Sequence, residues 1–293
     1  MKLESGGVAL VTGASSGIGR ALSLALARRG LHVAALARSG GRLKALADEV
    51  GRSGPECLPL VCDVRDPDSV ATVVEQTVAR FGRLDLIVNN AGFGSYTALS
   101  NADPGELREL MEVNYFGAVH VTRAALPMLV ERRRGHLVFV ASVAGRIPPA
   151  RHSGYAATKS ALIGFAESLS LELDAAHIGV TIVNPGIVST GFFDRPDFRD
   201  FPAVLRRQTI PPDRVARATL RAIERDLPEI FVPGSLRYAH LLKTLAPRLF
   251  RAGSLRFARR TGMIEAPSGR PAPSSRPAPS GPRARDGSRS EER

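Results

Sequence analysis

Three glycines set between an apolar run and a helical segment constrain this chain more than any other feature in it. Val8-Ala9-Leu10-Val11 reads as a buried strand, and Ala21 to Gly30 has helical periodicity with Leu22, Ala25 and Leu26 on one face. Between them lies Thr12-Gly13-Ala14-Ser15-Ser16-Gly17-Ile18-Gly19-Arg20. Glycine at 13, 17 and 19 lets the chain turn sharply and lets a bulky anion approach the backbone, which a Cβ would block. The helix that follows aims free N–H groups and the positive end of its dipole at that anion. In this strand–turn–helix context the expected ligand is the pyrophosphate of a dinucleotide.

Strand-like and helix-like segments then alternate for more than 200 residues, which argues for a parallel sheet covered on both faces. His32–Ala37, Leu58–Cys62, Leu84–Val88, His136–Ala141, Val180–Val183 and Glu229–Val232 read as further strands. Helices are expected over Arg42–Val50, from Asp66-Pro67 to Phe81, from about Pro104, through Asn114 to Arg133, over Ser153–Ala175 and over Asp213–Asp226. Asp66 followed by proline is an N-cap with proline at the first helical position, and Pro127 should kink its helix. Residues 187–212 lose periodicity, and Phe192, Phe193, Phe198 and Phe201 cluster there among prolines and charges. A long irregular segment of this kind reads as a lid or binding loop.

Charge and cysteine content narrow the function classes. The net charge is +12, yet residues 234–260 hold seven Lys/Arg and no acid, and the balance on residues 1–233 is only +3. A nucleic-acid partner would call for basic residues interleaved with aromatics on the folded body, and that pattern is absent. Cys57 and Cys62 suggest no disulfide framework, and no His/Cys cluster has metal-ligand spacing, so a reduced, metal-free, cytoplasmic protein is expected. No run approaches the ~18 apolar residues of a spanning helix, and no signal peptide is expected, since the first strand starts within ten residues of Met1.

The ordered motifs resemble the short-chain dehydrogenase/reductase family over roughly residues 5–235. They are Thr12-Gly13-x3-Gly17-x-Gly19, Asp63, Asn89-Asn90-Ala91-Gly92, Asn114, Ser142, Tyr155-x3-Lys159 and Pro185-Gly186-x3-Thr190. The resemblance implies a three-layer, doubly wound parallel α/β sheet of Rossmann-like type. It implies Tyr155 as proton donor or acceptor, Ser142 as substrate orienter, Lys159 as tuner and ribose ligand, and Asn114 as holder of a water linking Lys159 to solvent. It also implies cofactor contacts from Gly13, Ser15, Ser16, Gly17, Ile18, Gly19, Asn90, Ala91, Gly92, Tyr155, Lys159, Pro185, Gly186, Val188 and Thr190. Asp63 and Val64 would flank the adenine, and subunits would pair as a homo-oligomer (dimer or tetramer) through the helices carrying Asn114 and Tyr155.

The residue types support that chemistry independently. Tyr155 and Lys159, at i and i+4, project from one helix face. A free phenol titrates near 10, and a neighbouring ammonium should pull it toward the range where it exchanges protons. Ser142 follows a strand at the end where open α/β sheets bind ligands, and its hydroxyl can hold a substrate oxygen as charge develops. The second strand ends at Ala37-Arg38, where folds that prefer NAD carry a carboxylate. A cation there suits a 2′-phosphate, Arg20 could add a second, and NADP(H) is expected over NAD(H).

Beside the nicotinamide end, the four phenylalanines should close over an apolar substrate, with Ile147 on the same wall and His152 as a further candidate. Residues 236–262 form a basic extension with Tyr238, Leu241, Leu242, Leu245 and Leu249 on one face, bent or split at Pro247. Such a helix can pack on protein or lie on an anionic membrane through residues 236–260. Residues 263–293, rich in Pro, Ser and Arg, should be disordered. The favoured function is an NADP(H)-dependent oxidoreductase interconverting a ketone and a secondary alcohol on a lipid-like or steroid-like substrate. A 3-oxoacyl thioester reductase and a non-catalytic dinucleotide-binding regulator or membrane-peripheral scaffold remain as alternatives.

Overall fold

Apolar runs rich in Val, Leu, Ile and Ala become strands, and the central ones are buried on both faces, as a helix-covered parallel sheet requires. In the computed structural model, which describes residues 3–52 and 54–264, these are β1 (Val8–Thr12), β2 (His32–Ala37), β3 (Cys57–Val61), β4 (Leu86–Asn89), β5 (Gly135–Val140), β6 (Ile178–Pro185) and β7 (Glu229–Val232). All pair in parallel in the order β3-β2-β1-β4-β5-β6-β7. The order reverses between β1 and β4, which opens a crevice at the carboxyl ends of those strands.

The helices are α1 (Gly17–Ala27), α2 (Gly40–Gly51), α3 (Pro67–Phe81), α4 (Pro104–Met111), α5 (Gly117–Glu131), α6 (Val143–Arg146), α7 (Ser153–Glu172), α8 (Ala203–Arg206), α9 (Pro212–Glu224), α10 (Leu236–Leu245) and α11 (Pro247–Arg260). Strand alternation sorts the core into two slabs. Val8 and Leu10 of β1 face the slab built with α3, α5 and α7, whereas Ala9 and Val11 face α1, α2 and α9. The Asp66 cap forms as expected, its carboxylate accepting from the Asp68 and Ser69 amides.

Four local expectations need correction. The helix expected through Asn114 to Arg133 has a π turn, Glu112–Phe116, before α5, which contains Pro127. Residues 187–212 are folded: short 3-10 turns at Gly191–Phe193 and Pro196–Phe198, then α8, with a Val188–Ile210 bridge closing the segment. Side-chain packing orders them where periodicity gave no signal. The C-terminal helix does split at Pro247, but its apolar face points to solvent, as described below. Met263 is buried against Phe198 and Phe201, so the packed body extends past the expected tail boundary; residues 265–293 lie outside the described residues.

Candidate active site

The glycine turn is held from below by the next strand over. Thr12 Oγ1 accepts from the backbone N–H groups of Asn90 and Ala91, both at 2.9 Å, and Asn90 Nδ2 donates to Thr12 O at 2.9 Å. Gly13 has φ +64 and Gly17 φ +52, the left-handed region where a side chain is strained. Gly19 has no room for one: a Cβ there would lie 2.3 Å from the Gly13 carbonyl oxygen. The turn therefore presents bare backbone and the N-terminus of α1 to a cavity of about 1010 Å³. That cradle fits a dinucleotide pyrophosphate.

The cavity runs along the crevice and gathers most of the candidate residues. Gly13, Ser15, Ser16, Gly17 and Ile18 line its floor, Arg38 with Asp63 and Val64 one end, and Asn90-Ala91-Gly92 the middle. Ser142, Tyr155, Lys159, Pro185, Gly186, Val188 and Thr190 line the other end. Gly19 lies beneath the turn as a packing position. Arg20 is the exception: its guanidinium pairs with Glu49 of α2, and it does not line the cavity. The carboxylate one helix away supplies the compensating anion that a cofactor phosphate was expected to supply. Arg42, in the first turn of α2, lines the cavity with Arg38 instead. Asp63 is held below the ordinary carboxylate range by its hydrogen bond from Arg65, with Arg38 adding to the effect.

The catalytic candidates converge on a buried cluster. Ser142 caps α6, its Oγ accepting from Ala144 N at 3.1 Å, and this fixes the hydroxyl where β5 ends. Burial pushes the Tyr155 phenol up to about 12, against a smaller lowering from the neighbouring Ser142 hydroxyl. Lys159 Nζ donates to Val140 O at 3.0 Å and lies 5.9 Å from the Tyr155 ring centre. Burial draws the Lys159 ammonium down to about 8. Burial thus acts on Tyr155 against the lowering expected from Lys159.

Asn114 does not line the cavity. Its Oδ1 accepts from Phe93 N at 2.9 Å, and its Nδ2 donates to Phe93 O at 2.9 Å and Thr158 Oγ1 at 3.0 Å. The amide is a positioning group that clamps the segment after β4 to α7. Gly92 separates it from the lysine: a Cβ there would be 2.8 Å from Asn114 Oδ1 and 3.4 Å from Lys159 Nζ.

The substrate end is walled by rings. Phe192 stands 5.6 Å from Tyr155, centre to centre, and Phe193, Phe201 and Ile147 also line the cavity. Phe198 does not; it is fully buried as the centre of the lid's own core, with Tyr96, Phe201, Leu205, Ala258 and Met263. His152 does line the cavity, fixed by a 2.7 Å contact between Nδ1 and Ser95 O, and burial lowers its pKa. Leu236, Ala239, Phe257 and Met263 complete this wall from the C-terminal extension. They are four contributors for which the sequence held no signal, since nothing local ties them to a site some 80 residues upstream.

A doubly wound parallel sheet, a side-chain-free anion cradle and a buried Ser–Tyr–Lys cluster in one cavity define a nucleotide-dependent oxidoreductase. The chain belongs to the short-chain dehydrogenase/reductase family: the family model for short chain dehydrogenases matches residues 7–197. It is 33% identical over 266 residues to dehydrogenase/reductase SDR family member 7B of Xenopus laevis, covering 85% of this chain and 82% of the relative. It is 36% identical over 185 residues to the 3-oxoacyl-[acyl-carrier-protein] reductase FabG of Escherichia coli, covering 63% and 75%. A short-chain dehydrogenase/reductase from Burkholderia phymatum, solved in complex with NAD, superposes with a TM-score of 0.77 at 26% identity, covering 84% of this chain and 96% of that one. The protein is an oxidoreductase that acts on a carbonyl–alcohol pair with a nicotinamide cofactor. Its substrates are small molecules.

Proposed function

We propose that the chain reduces an apolar, lipid-like or steroid-like ketone to a secondary alcohol with NADPH. The observation that carries this reading is the neighbouring Tyr155 and Ser142 hydroxyls, buried at the ring-walled end of the cavity that begins at the glycine turn.

The Gly13–Ile18 backbone would hold the pyrophosphate, Asp63 and Val64 the adenine, and Lys159 the ribose near the reacting end. Asn90, Ala91, Gly92, Pro185, Gly186, Val188 and Thr190 would bound the nicotinamide side. Arg38 and Arg42, with no carboxylate at the end of β2, suit a 2′-phosphate. When bound, the cofactor supplies the hydride. The chain's residues then manage one oxygen and one proton. Ser142 holds the substrate oxygen by its hydroxyl as charge builds there. Tyr155, raised to about 12, is a neutral phenol at physiological pH and gives its proton to that oxygen. Lys159, at about 8, remains largely an ammonium at pH 7 and favours the phenolate once the proton has gone. Lys159 would then give a proton back to the phenolate, and a water beside Asn114 would return one to Lys159 across Gly92. The rings of Phe192, Phe193 and Phe201 exclude bulk water and select an apolar partner.

The identity to a 3-oxoacyl reductase supports a second reading, in which the substrate is a 3-oxoacyl thioester. Following NADPH absorbance against bulky apolar ketones and 3-oxoacyl thioesters separates the two. Higher kcat/KM on the ketones, and for NADPH over NADH, is the expected result. Preference for the thioesters would transfer the assignment to the second reading. Cofactor binding without turnover of either class would leave a regulatory dinucleotide-binding protein.

A further inference from the structure

The α10–α11 hairpin meets the body through Leu236, Ala239, His240, Lys243 and Ala258 and leaves a second apolar stripe in solvent, which an ordinary surface helix does not do. His240 stacks on Phe231 with ring centres 5.9 Å apart, and Lys243 Nζ donates to Arg146 O at 2.6 Å. On the opposite face Tyr238, Leu241, Leu242 and Leu245 follow the helical spacing of α10 and, with Leu249 of α11, are exposed, Leu245 to 73% and Leu249 to 65%. Arg237, Arg248, Arg251, Arg256, Arg259 and Arg260 are exposed on the same hairpin, and residues 234–264 contain no acid. None of these six arginines forms an ion pair among the described residues.

We propose that this hairpin docks the protein on the surface of an anionic lipid bilayer, its leucine stripe entering the acyl boundary and its arginines meeting the headgroups. An apolar stripe flanked by unpaired cations matches an interface that is apolar below and negative above. A second copy of the chain matches it poorly, because a self-complementary contact would press two acid-free basic surfaces together. No helix among the described residues is long and apolar enough to span a membrane, so the contact lies on the surface. The same hairpin lines the cavity with Leu236, Ala239 and Phe257, so docking turns the ring-walled end toward the bilayer. Only this last consequence, delivery of a lipid-dissolved ketone, rests on the catalytic reading above.

Co-sedimentation of the full chain with two kinds of vesicle tests the docking: phosphatidylcholine alone, and equal parts phosphatidylcholine and phosphatidylglycerol. The full chain should sediment with the anionic vesicles and at least ~10-fold less with the neutral ones, and 1 M salt should weaken the contact. Leu241→Glu combined with Leu245→Glu should lower anionic partitioning at least ~10-fold while NADPH binding is unchanged. If that variant misfolds, Arg248→Ser with Arg251→Ser serves instead and should lower anionic partitioning alone. Failure of the full chain to sediment with either vesicle would overturn the proposal. So would equal sedimentation of the variants, or light scattering that shows the Leu variant turning a dimer into a monomer with vesicle binding intact. Because the readout is binding, a failure here is distinct from a failure to reduce ketones.

Discussion

The glycine-turn half of the cavity and the ring-walled half are built on different principles. The first is backbone: Gly13, Gly17 and Gly19 matter for the side chains they lack, and Thr12 and Asn90 tie the turn to β4 through short polar contacts. The second is side chain: three short turns, α8 and the end of α11 hold together because Phe198, Phe201, Leu205, Ala258 and Met263 share one small core. Backbone cradles tolerate almost no change at a few positions. A lid of packed rings tolerates much more and can vary with the substrate, so cofactor use and substrate choice sit on separable parts of one cavity.

The contrast is broken most severely by filling the cradle. Gly19→Val places carbon 2.3 Å from a carbonyl oxygen, and we expect cofactor affinity to fall at least ~100-fold, with the lid's core still formed. Fluorescence titration with NADPH measures it, and an affinity near wild type would remove the cradle's role. The converse change is Phe198→Ala, which empties the centre of the lid and should cost about 3 kcal/mol in denaturant unfolding. Turnover should collapse while NADPH affinity stays within about 3-fold, since the cradle lies in the other half. Equal loss of both would mean the halves are one unit.

Acid should act through two buried neutral histidines, His136 at the start of β5 and His152 beside the cavity. Burial lowers both, His136 to about 4, so their stability contribution is full above pH 6.5 and is lost as pH falls through the folded value. From pH 7 to pH 5, His136 alone should cost about 2 kcal/mol of unfolding free energy. His136→Gln should flatten the profile by that amount, and an unchanged slope would contradict it. The finest comparison lies within the cofactor half. Arg38→Ser should reduce the preference for NADPH over NADH about 10-fold, whereas Arg20→Ala, which breaks only an exposed pair with Glu49, should change it less than about 2-fold.

The same division governs what could be read from the sequence. The cradle, the Asp66 cap and the Tyr155–Lys159 pair are local patterns, and each lies where spacing alone puts it. Arg20 misled because its partner, Glu49, is on another helix. The phenylalanine segment looked irregular because its order comes from Tyr96, some 100 residues before it, and Met263, some 60 after. The π turn at Asn114 and the outward-facing leucines of α10 were invisible for a related reason. Periodicity reports that a helix has a face, and only tertiary contacts decide which way that face turns.

The claim on which the account stands is that the Tyr155 hydroxyl transfers the proton. Tyr155→Phe keeps the ring against Phe192 and deletes only the oxygen beside Ser142. With NADPH and the best ketone of the panel, kcat should fall at least ~1000-fold while the NADPH dissociation constant stays within about 3-fold. A variant that turns over within about 10-fold of wild type would contradict the assignment outright.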